Sequence, residues 1–174
     1  MEIVAFDTDD RADGSGKAKI TWISKNLLNT THAMNSKNIT AGGWESSAMR
    51  TYLKNTIKPL IPETVRNAIV PVTKVSSTYG SAVVKDGQTT TDDVWIPSNH
   101  EIFSTNTNYE SNGAVYSTVF KDSASRIKKR NGSARSWWLR SAGSARSFSS
   151  VSSDGSSDGG YASGADGVAL GFCT

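Results

Sequence analysis

Histidine and cysteine, two residue types that often perform nucleophilic or acid–base chemistry, are few in this sequence and lie far apart. The histidines are His32 and His100, both in polar, asparagine-rich surroundings, and the only cysteine is Cys173, in an apolar segment. A nucleophilic enzyme needs a serine or cysteine beside a base that a third group orients, and neither histidine stands in such a motif. A lone cysteine provides no intrachain disulfide and no cysteine-based metal cage. We therefore predict that this protein is not an enzyme.

The acidic segment after the first apolar residues has part of the pattern of a calcium-binding loop. Three of the offsets that an EF-hand loop uses are occupied by Asp9, Asp13 and Gly14. The pattern fails at two other positions, because Arg11 replaces an oxygen ligand and Ile20 stands where a bidentate glutamate is needed. The segment is interpreted as a turn, and neither a metal nor another cofactor is predicted.

The charge and hydropathy of the chain exclude two further classes of partner. The formal net charge is +3, and the densest basic run is Arg126–Arg130. A run this short is usually a solvated face, so no nucleic-acid partner is predicted. No apolar run reaches the length of a membrane span, which predicts that the chain does not insert into a membrane.

The length of 174 residues suits one domain, which we expect to span residues 1–174. The sequence opens directly on a strand-like segment, Glu2–Phe6, with no signal peptide before it. We therefore expect the domain to be excised from a longer protein.

The elements that position these residues are predicted from the apolar pattern. A hairpin is expected from Glu2–Phe6 and Lys19–Ile23, and a third strand from Val70–Val75. The polar stretch Ser76–Asp93 is predicted to be turn-forming. After it, Ser98 is predicted to cap a short helix with the sequence NHEIF.

Two amphipathic helices are predicted in the middle of the chain. Apolar residues recur three to five positions apart over residues 44–57, with Ser46 or Ser47 available as the N-cap. A proline at a first-turn position opens a second helix over residues 62–70. We expect the two helices to pack against each other. The apolar side of the second helix is formed by Val65, Ala68 and Ile69.

Two apolar segments near the end of the sequence are predicted to be strands. Alternation places Trp137 and Leu139 on one face, and Trp138 and Arg140 on the other, as in a buried strand with one half-open face. Residues 168–174 alternate in the same way and form the last strand. Between them lies a stretch of serine, glycine and aspartate that is held at both ends, which is typical of a surface displayed on a rigid frame.

Three motifs carry a resemblance to a known family. The segments "GGWESSAMRTYL", "SRIKKRNGSARSWWLRSAGS" and "GVALGFC" occur in the order and spacing of a bacterial and phage domain family with a "WWLRS" core strand. Members resemble C-type-lectin-like domains, and some are similar to the variable proteins of diversity-generating retroelements. The resemblance implies a loop-rich, α+β, C-type-lectin-like fold with two amphipathic helices packed on small antiparallel sheets. Many relatives follow "WWLRS" with proline, whereas this chain has Ala142, which leaves the turn less constrained.

The resemblance also implies a rule about residue types. Retroelements of this kind mutate adenines, so that Lys, Glu, Gln, Met and Trp do not appear at diversified positions. None of these five types occurs after Trp138. The alternative explanation is that any loop rich in serine, glycine and aspartate lacks them too. We predict that the diversified segment covers about residues 143–166.

The residues predicted to contact a ligand lie in this segment. Arg146, Phe148 and Tyr161 have the largest side chains for a contact, and small polar residues adapt around them. The alternatives are that Phe148 belongs to the core and that Tyr161 covers an edge. The full predicted set is Ser144, Arg146, Phe148, Ser150, Ser153, Ser156, Ser157, Asp158, Tyr161 and Ser163.

These observations favour a ligand- or receptor-binding domain on a phage tail or a bacterial cell surface. Its partner is predicted to be a protein or glycan of a cell surface, of unknown identity. Two alternatives remain open: a carbohydrate-binding lectin of fixed specificity, with or without calcium, and a structural module of a surface protein.

Overall fold

A computed structural model describes residues 1–79, 83–104 and 109–174. Small antiparallel sheets make up most of its regular structure. The strands are β1 (Glu2–Phe6), β2 (Ile20–Ile23), β3 (His32–Ala33), β4 (Val72–Tyr79), β5 (Val83–Asp92), β6 (Lys128–Arg130), β7 (Ser133–Arg135), β8 (Trp137–Ala142), β9 (Ser147–Val151), β10 (Ser157–Tyr161), β11 (Ala165–Asp166) and β12 (Gly171–Cys173).

Two sheets have three strands each. One has the order β1-β2-β12, so the last strand pairs with the predicted N-terminal hairpin, Phe172 opposite Trp22. The other has the order β10-β9-β8. Three two-stranded ribbons, β11-β3, β4-β5 and β6-β7, complete the sheets of the described residues. The architecture is therefore a set of small, mutually packed sheets.

Four short α-helices occur in the described part of the chain: α1 (Ala48–Tyr52), α2 (Glu63–Ala68), α3 (Asn99–Phe103) and α4 (Ser123–Arg126). A π-helical turn, Leu53–Ile57, and a 3₁₀ turn, Lys58–Leu60, continue α1. Ser47 caps α1 by accepting the N–H of Arg50. A capping box between Ser98 and Glu101 begins α3, which confirms the helix predicted there.

The expected α+β, C-type-lectin-like arrangement of two amphipathic helices packed on sheets is wrong. The first predicted helix is regular for only five residues and then changes geometry. The second has six residues, none of them buried, and Val65 on its predicted apolar side is 36% exposed. Fewer than two turns cannot present a continuous apolar stripe. The backbone becomes extended at Ile69, two residues before Pro71.

Strand β8 is the centre of the core, and its predicted half-open face does not exist. All six of its residues are buried. Strand β9 pairs with one edge, and the N–H of Trp138 donates to the carbonyl of Gly167 at the other edge, 3.0 Å away. Strand β10 covers Trp138, and β4 and α3 contact β8 near Arg140. A side chain as polar as Arg140 can occupy this position only because it is fully paired.

A group of charged and hydroxyl side chains, the buried ion cluster, lies in this core. Its members are Asp9, Lys74, Glu101, Tyr116 and Arg140, each almost inaccessible to solvent. Two nitrogens of Arg140 donate hydrogen bonds to the carboxylate of Glu101, at 2.6 and 2.8 Å. Lys74 Nζ lies 2.5 Å from Asp9 Oδ1 and 3.0 Å from Glu101 Oε1. The cluster therefore joins the loop between β1 and β2 to β4, α3 and β8.

Arg140 also holds irregular backbone in place. Its remaining donors reach the carbonyls of Val75 and Ile96 and the hydroxyl of Ser76, at 2.8 to 2.9 Å. One residue further, Ser141 donates to Glu110 at 2.7 Å and accepts the N–H of Asn99. Arg140 and Ser141, the polar residues of the "WWLRS" motif, thus provide hydrogen-bond partners for buried groups of several loops.

The charges of the cluster determine its protonation. Burial by itself would raise the pKa of Glu101, but the positive charges of Arg140 and Lys74 outweigh it and lower this pKa to about 2. Burial would likewise lower the pKa of Lys74, but the charges of Asp9 and Glu101 outweigh it and raise the pKa. Each group is kept ionised by its partners.

We predict that replacing Arg140 by methionine lowers the free energy of unfolding by about 3–5 kcal/mol, because Glu101 would stay buried without its bidentate partner. Urea unfolding at pH 7 measures the loss. Arg11→Met is the matched control, since Arg11 pairs with Asp13 at the surface and its removal should change stability little. Similar losses in the two variants would contradict the importance of the cluster.

Glu101 also predicts a dependence of stability on pH. Its pKa of about 2 in the folded chain lies below the value of about 4.3 for an unfolded glutamate. The contribution of Glu101 is therefore complete above pH 5 or so and lost as the pH falls towards 2. Urea unfolding between pH 7 and pH 2 should show this loss, and Glu101→Gln should flatten the curve. An equally steep curve for the variant would assign the acid sensitivity to other groups.

Candidate ligand-binding surface

The predicted ligand-binding segment forms a hairpin at the edge of a sheet. Strand β9 lies between β8 and β10, whereas β10 pairs on one side only. The side chains of β9 from Phe148 to Val151 are buried, and β10 is exposed except at Gly160, which is half-buried. The segment is therefore ordered and held at both ends, with its inner strand in the core and its outer strand at the surface.

The register of the hairpin shows which backbone groups of β10 face outward. The N–H of Ser152 donates to the carbonyl of Ser156, and the N–H of Ala162 to that of Arg146. Hydrogen-bonded pairs alternate along an antiparallel ladder. With both ends bonded in this way, residues 157, 159 and 161 direct their N–H and C=O groups away from β9.

Part of this outward edge is already satisfied within the chain. The N–H of Gly159 donates to Asp158 Oδ1 at 2.8 Å, and the carbonyl of Tyr161 accepts the N–H of Gly164. Such local bonds and an acidic side chain are the devices that protect an exposed edge from uncontrolled strand pairing. The side chains, more than the backbone, are therefore what β10 offers to a partner.

Most of the predicted contact residues reach solvent, but two do not. Phe148 is fully buried and Ser150 is 3% exposed, so neither can touch a ligand directly. Phe148 belongs to the core, as the alternative for it proposed. Ser144 is half-buried, and its hydroxyl accepts the N–H groups of Arg146 and Ser147 in a turn. The exposed ones, which we call the hairpin surface, are Arg146, Ser153, Ser156, Ser157, Asp158, Tyr161 and Ser163.

The tip of the hairpin is firmly anchored. Asp154 accepts hydrogen bonds from the hydroxyls of Ser152 and Ser156 and from the N–H of Ser156, which lower its pKa to about 2. Gly155 has a φ of +83°, and a Cβ there would lie 1.9 Å from the carbonyl oxygen of Ser123. Only glycine fits so close to another backbone. The tip is therefore pinned to the start of α4.

The outer strand rests on the second tryptophan of the motif. A Cβ at Gly160 would lie 2.5 Å from the ring of Trp138, so glycine is needed for β10 to lie on that ring. The indole N–H of Trp138 donates to the carbonyl of His32 at 2.9 Å, which fixes the ring. Trp138 thus supports the hairpin from below.

A neighbouring loop borders the hairpin surface, and the sequence reasoning missed it. Asn38 Oδ1 accepts the hydroxyl of Ser163 at 2.6 Å, and Thr40 donates to the carbonyl of Ser144, also at 2.6 Å. Between them, Ile39 is 52% exposed. The polar composition of residues 35–40 was the available signal, but nothing in it indicated which part of the chain the loop would meet.

The residues considered for catalysis or metal binding lie apart. Cys173 is buried, and burial raises the pKa of its thiol to about 12. His32 stacks on Tyr52 with ring centroids 3.9 Å apart. Asp9 belongs to the buried ion cluster, whereas Asp13 binds Arg11 and Ser15. Within the described ranges, no group of three or more His, Cys, Asp or Glu side chains is placed to hold a metal ion.

The geometry describes a compact scaffold that carries an exposed polar hairpin. Residues 19–173 match the family described as "Domain of unknown function (DUF6273)", and the chain belongs to this family. No curated protein and no solved structure matches the chain. In the part of the chain that the structure describes, no helix has the length and apolar character needed to cross a membrane.

We predict that the triple substitution Ser157→Ala, Asp158→Ala and Tyr161→Ala leaves the thermal midpoint nearly unchanged, because these exposed side chains bury little. The matched control is Phe148→Ala on the paired strand, which should cost about 3–5 kcal/mol. Differential scanning calorimetry compares both variants with the unmodified chain. A large loss in the triple variant would mean that the hairpin surface is structural.

Proposed function

We propose that this domain is a non-enzymatic binding module that contacts a partner through the hairpin surface. The observation that supports the proposal is that the two strands of this hairpin have different roles. Phe148 and Val151 secure β9 in the core, whereas Ser157, Asp158 and Tyr161 on β10 face solvent. Side chains that contact a partner can then change without removing those that hold the frame.

The residue types of the surface suit recognition of a protein or a glycan. Tyr161 is 63% exposed although it is a large aromatic. Arg146, which precedes the strand partner of Tyr161, Ser147, is also exposed. Tyrosine and arginine are enriched at the energetic centres of interfaces, with serine and other small polar residues as adaptable neighbours. We propose that the partner lies on a cell surface and that the domain is displayed on a phage tail or a bacterial cell surface.

A finer part of the proposal is that a retroelement diversifies this surface. It is supported by the absence of Lys, Glu, Gln, Met and Trp after Trp138, together with the exposure of most polar positions in residues 143–166. The neighbouring DNA tests it directly. A reverse-transcriptase gene and an imperfect repeat of the last codons, differing only at adenines, are expected. If both are absent, the proposal that a retroelement diversifies this surface is wrong. The proposed binding role is then tested separately, by the binding experiment below.

We predict that binding depends on the hairpin surface and not on exposed side chains elsewhere. The probes are a glycan array and a panel of intact bacterial cells, each incubated with the labelled domain. The double variant Arg146→Ala and Tyr161→Ala should lose binding at least tenfold, because removing two anchor side chains costs about 1.4 kcal/mol or more.

The matched control is Phe6→Ala with Lys19→Ala. Phe6 has the same exposure as Tyr161, 63%, and it lies on β1 in the other three-stranded sheet. This control should bind like the unmodified domain. Binding that survives the hairpin variant would contradict the proposal, and binding that vanishes with a chelator would favour the calcium-dependent lectin instead.

A further inference from the structure

The amine of Lys74 lies against a carboxylate in a site without water access. The side chains of Lys74 and Asp9 are each 1% exposed, with Nζ 2.5 Å from Oδ1. A contact this short leaves the nitrogen about 3–3.5 Å from the carboxyl carbon, the separation of a near-attack arrangement.

We propose that Lys74 and Asp9 join in an intramolecular isopeptide bond. The Nζ–Cγ bond forms, and one Cγ–O bond of Asp9 breaks. The ammonium gives up two protons, and both leave with the departing oxygen as one molecule of water. The products are a neutral amide and water, so the reaction requires no oxidant, reductant or other reactant.

The surrounding side chains have the positions that this condensation needs. One proton crosses the 2.5 Å contact from Nζ to Asp9 Oδ1, which leaves the amine neutral for attack. Glu101 Oε1, 3.0 Å from Nζ, takes the second proton from the nitrogen of the tetrahedral intermediate and returns it to the leaving oxygen. The hydroxyl of Tyr116 lies 3.0 and 3.1 Å from the two oxygens of Asp9, and that of Thr21 donates to Oδ2 at 2.5 Å. Two such donors stabilise the negative oxygen of the tetrahedral intermediate.

The enclosure of the site favours the amide over the ion pair. The Lys74 amine lies 3.5 Å from the centre of the Trp95 ring, which covers it. Burying separate charges is costly, whereas an amide removes both charges and releases water to solvent. Because the bond needs to form only once in each molecule, the proposal does not require a fast reaction.

A second buried lysine provides an internal comparison. Lys128 is 2% exposed and its Nζ lies 2.9 Å from Glu2 Oε1, but the Glu2 side chain is 31% exposed. Its other hydrogen-bond acceptors among the described residues are the carbonyls of Ser24 and Lys25, and within that part of the chain Glu2 is its only carboxylate partner. Lys128 and Glu2 should therefore remain an ordinary ion pair.

Mass spectrometry of the purified, fully denatured chain tests the proposal. Its mass should be lower than the sequence mass by one water. Trypsin should then release residues 1–11 joined to residues 67–85, with no cleavage after Lys74, because an acylated lysine is not a trypsin site. A mass equal to that of the sequence, with normal cleavage after Lys74, would overturn the proposal.

Variants separate the reaction from folding. Glu101→Gln should be less stable, because Arg140 loses its charged partner. Under conditions where circular dichroism shows that it is folded, it should have the full sequence mass, since it keeps the shape of the side chain but loses the proton acceptor. Lys128→Met should still lose one water. If Glu101→Gln is folded and also loses one water, the role assigned to Glu101 is wrong, and if Lys74→Met loses it, the bond lies elsewhere.

Discussion

The pairing of Arg140 with Glu101 is the constraint on which the rest of the structure depends. Regular elements in this chain are short, so the backbone ladders alone cannot fix how the loops are arranged. The guanidinium compensates for this by binding carbonyls of two other segments and a carboxylate of α3 at once. A shift of β8 by one residue would leave all these groups buried and unpaired. The position of Trp138, and of the hairpin that rests on it, follows from this register.

The strands with clear alternation and the helix with a clear cap could be predicted from the sequence. Strand β1 has the predicted bounds, and α3 begins after Ser98 as predicted. The prediction of a second packed amphipathic helix was wrong, because α2 has only six residues and leaves Val65 and Ala68 exposed. The prediction of a turn-forming stretch over Ser76–Asp93 was also wrong. Its threonines and serines are typical of a loop, but much of the stretch belongs to the β4-β5 ribbon. In both segments, contacts with neighbouring elements decided the structure more than the intrinsic propensity of the residues did.

The candidate surface was predicted as a segment but not residue by residue. The sequence indicated that the stretch is held between two apolar strands, which agrees with the anchored hairpin. It could not show that Phe148 and Ser150 face inward on a strand covered on both sides, because a Ser-rich strand lacks hydrophobic alternation. Nor could it show that residues 35–40 would lie beside Ser163, since that contact spans 125 positions of the chain.

The pairing of β12 with β2 has a consequence for synthesis. Phe172 lies opposite Trp22, and Val70 bridges to Cys173, so the first sheet is complete only with the last strand. A ribosome must therefore have translated nearly the whole domain, and released it from the exit tunnel, before this sheet can close. Until then the nascent chain exposes apolar β2 without its neighbour, and such contacts between distant segments form slowly. Cotranslational chaperones would meet this domain as an open, aggregation-prone substrate for most of its synthesis.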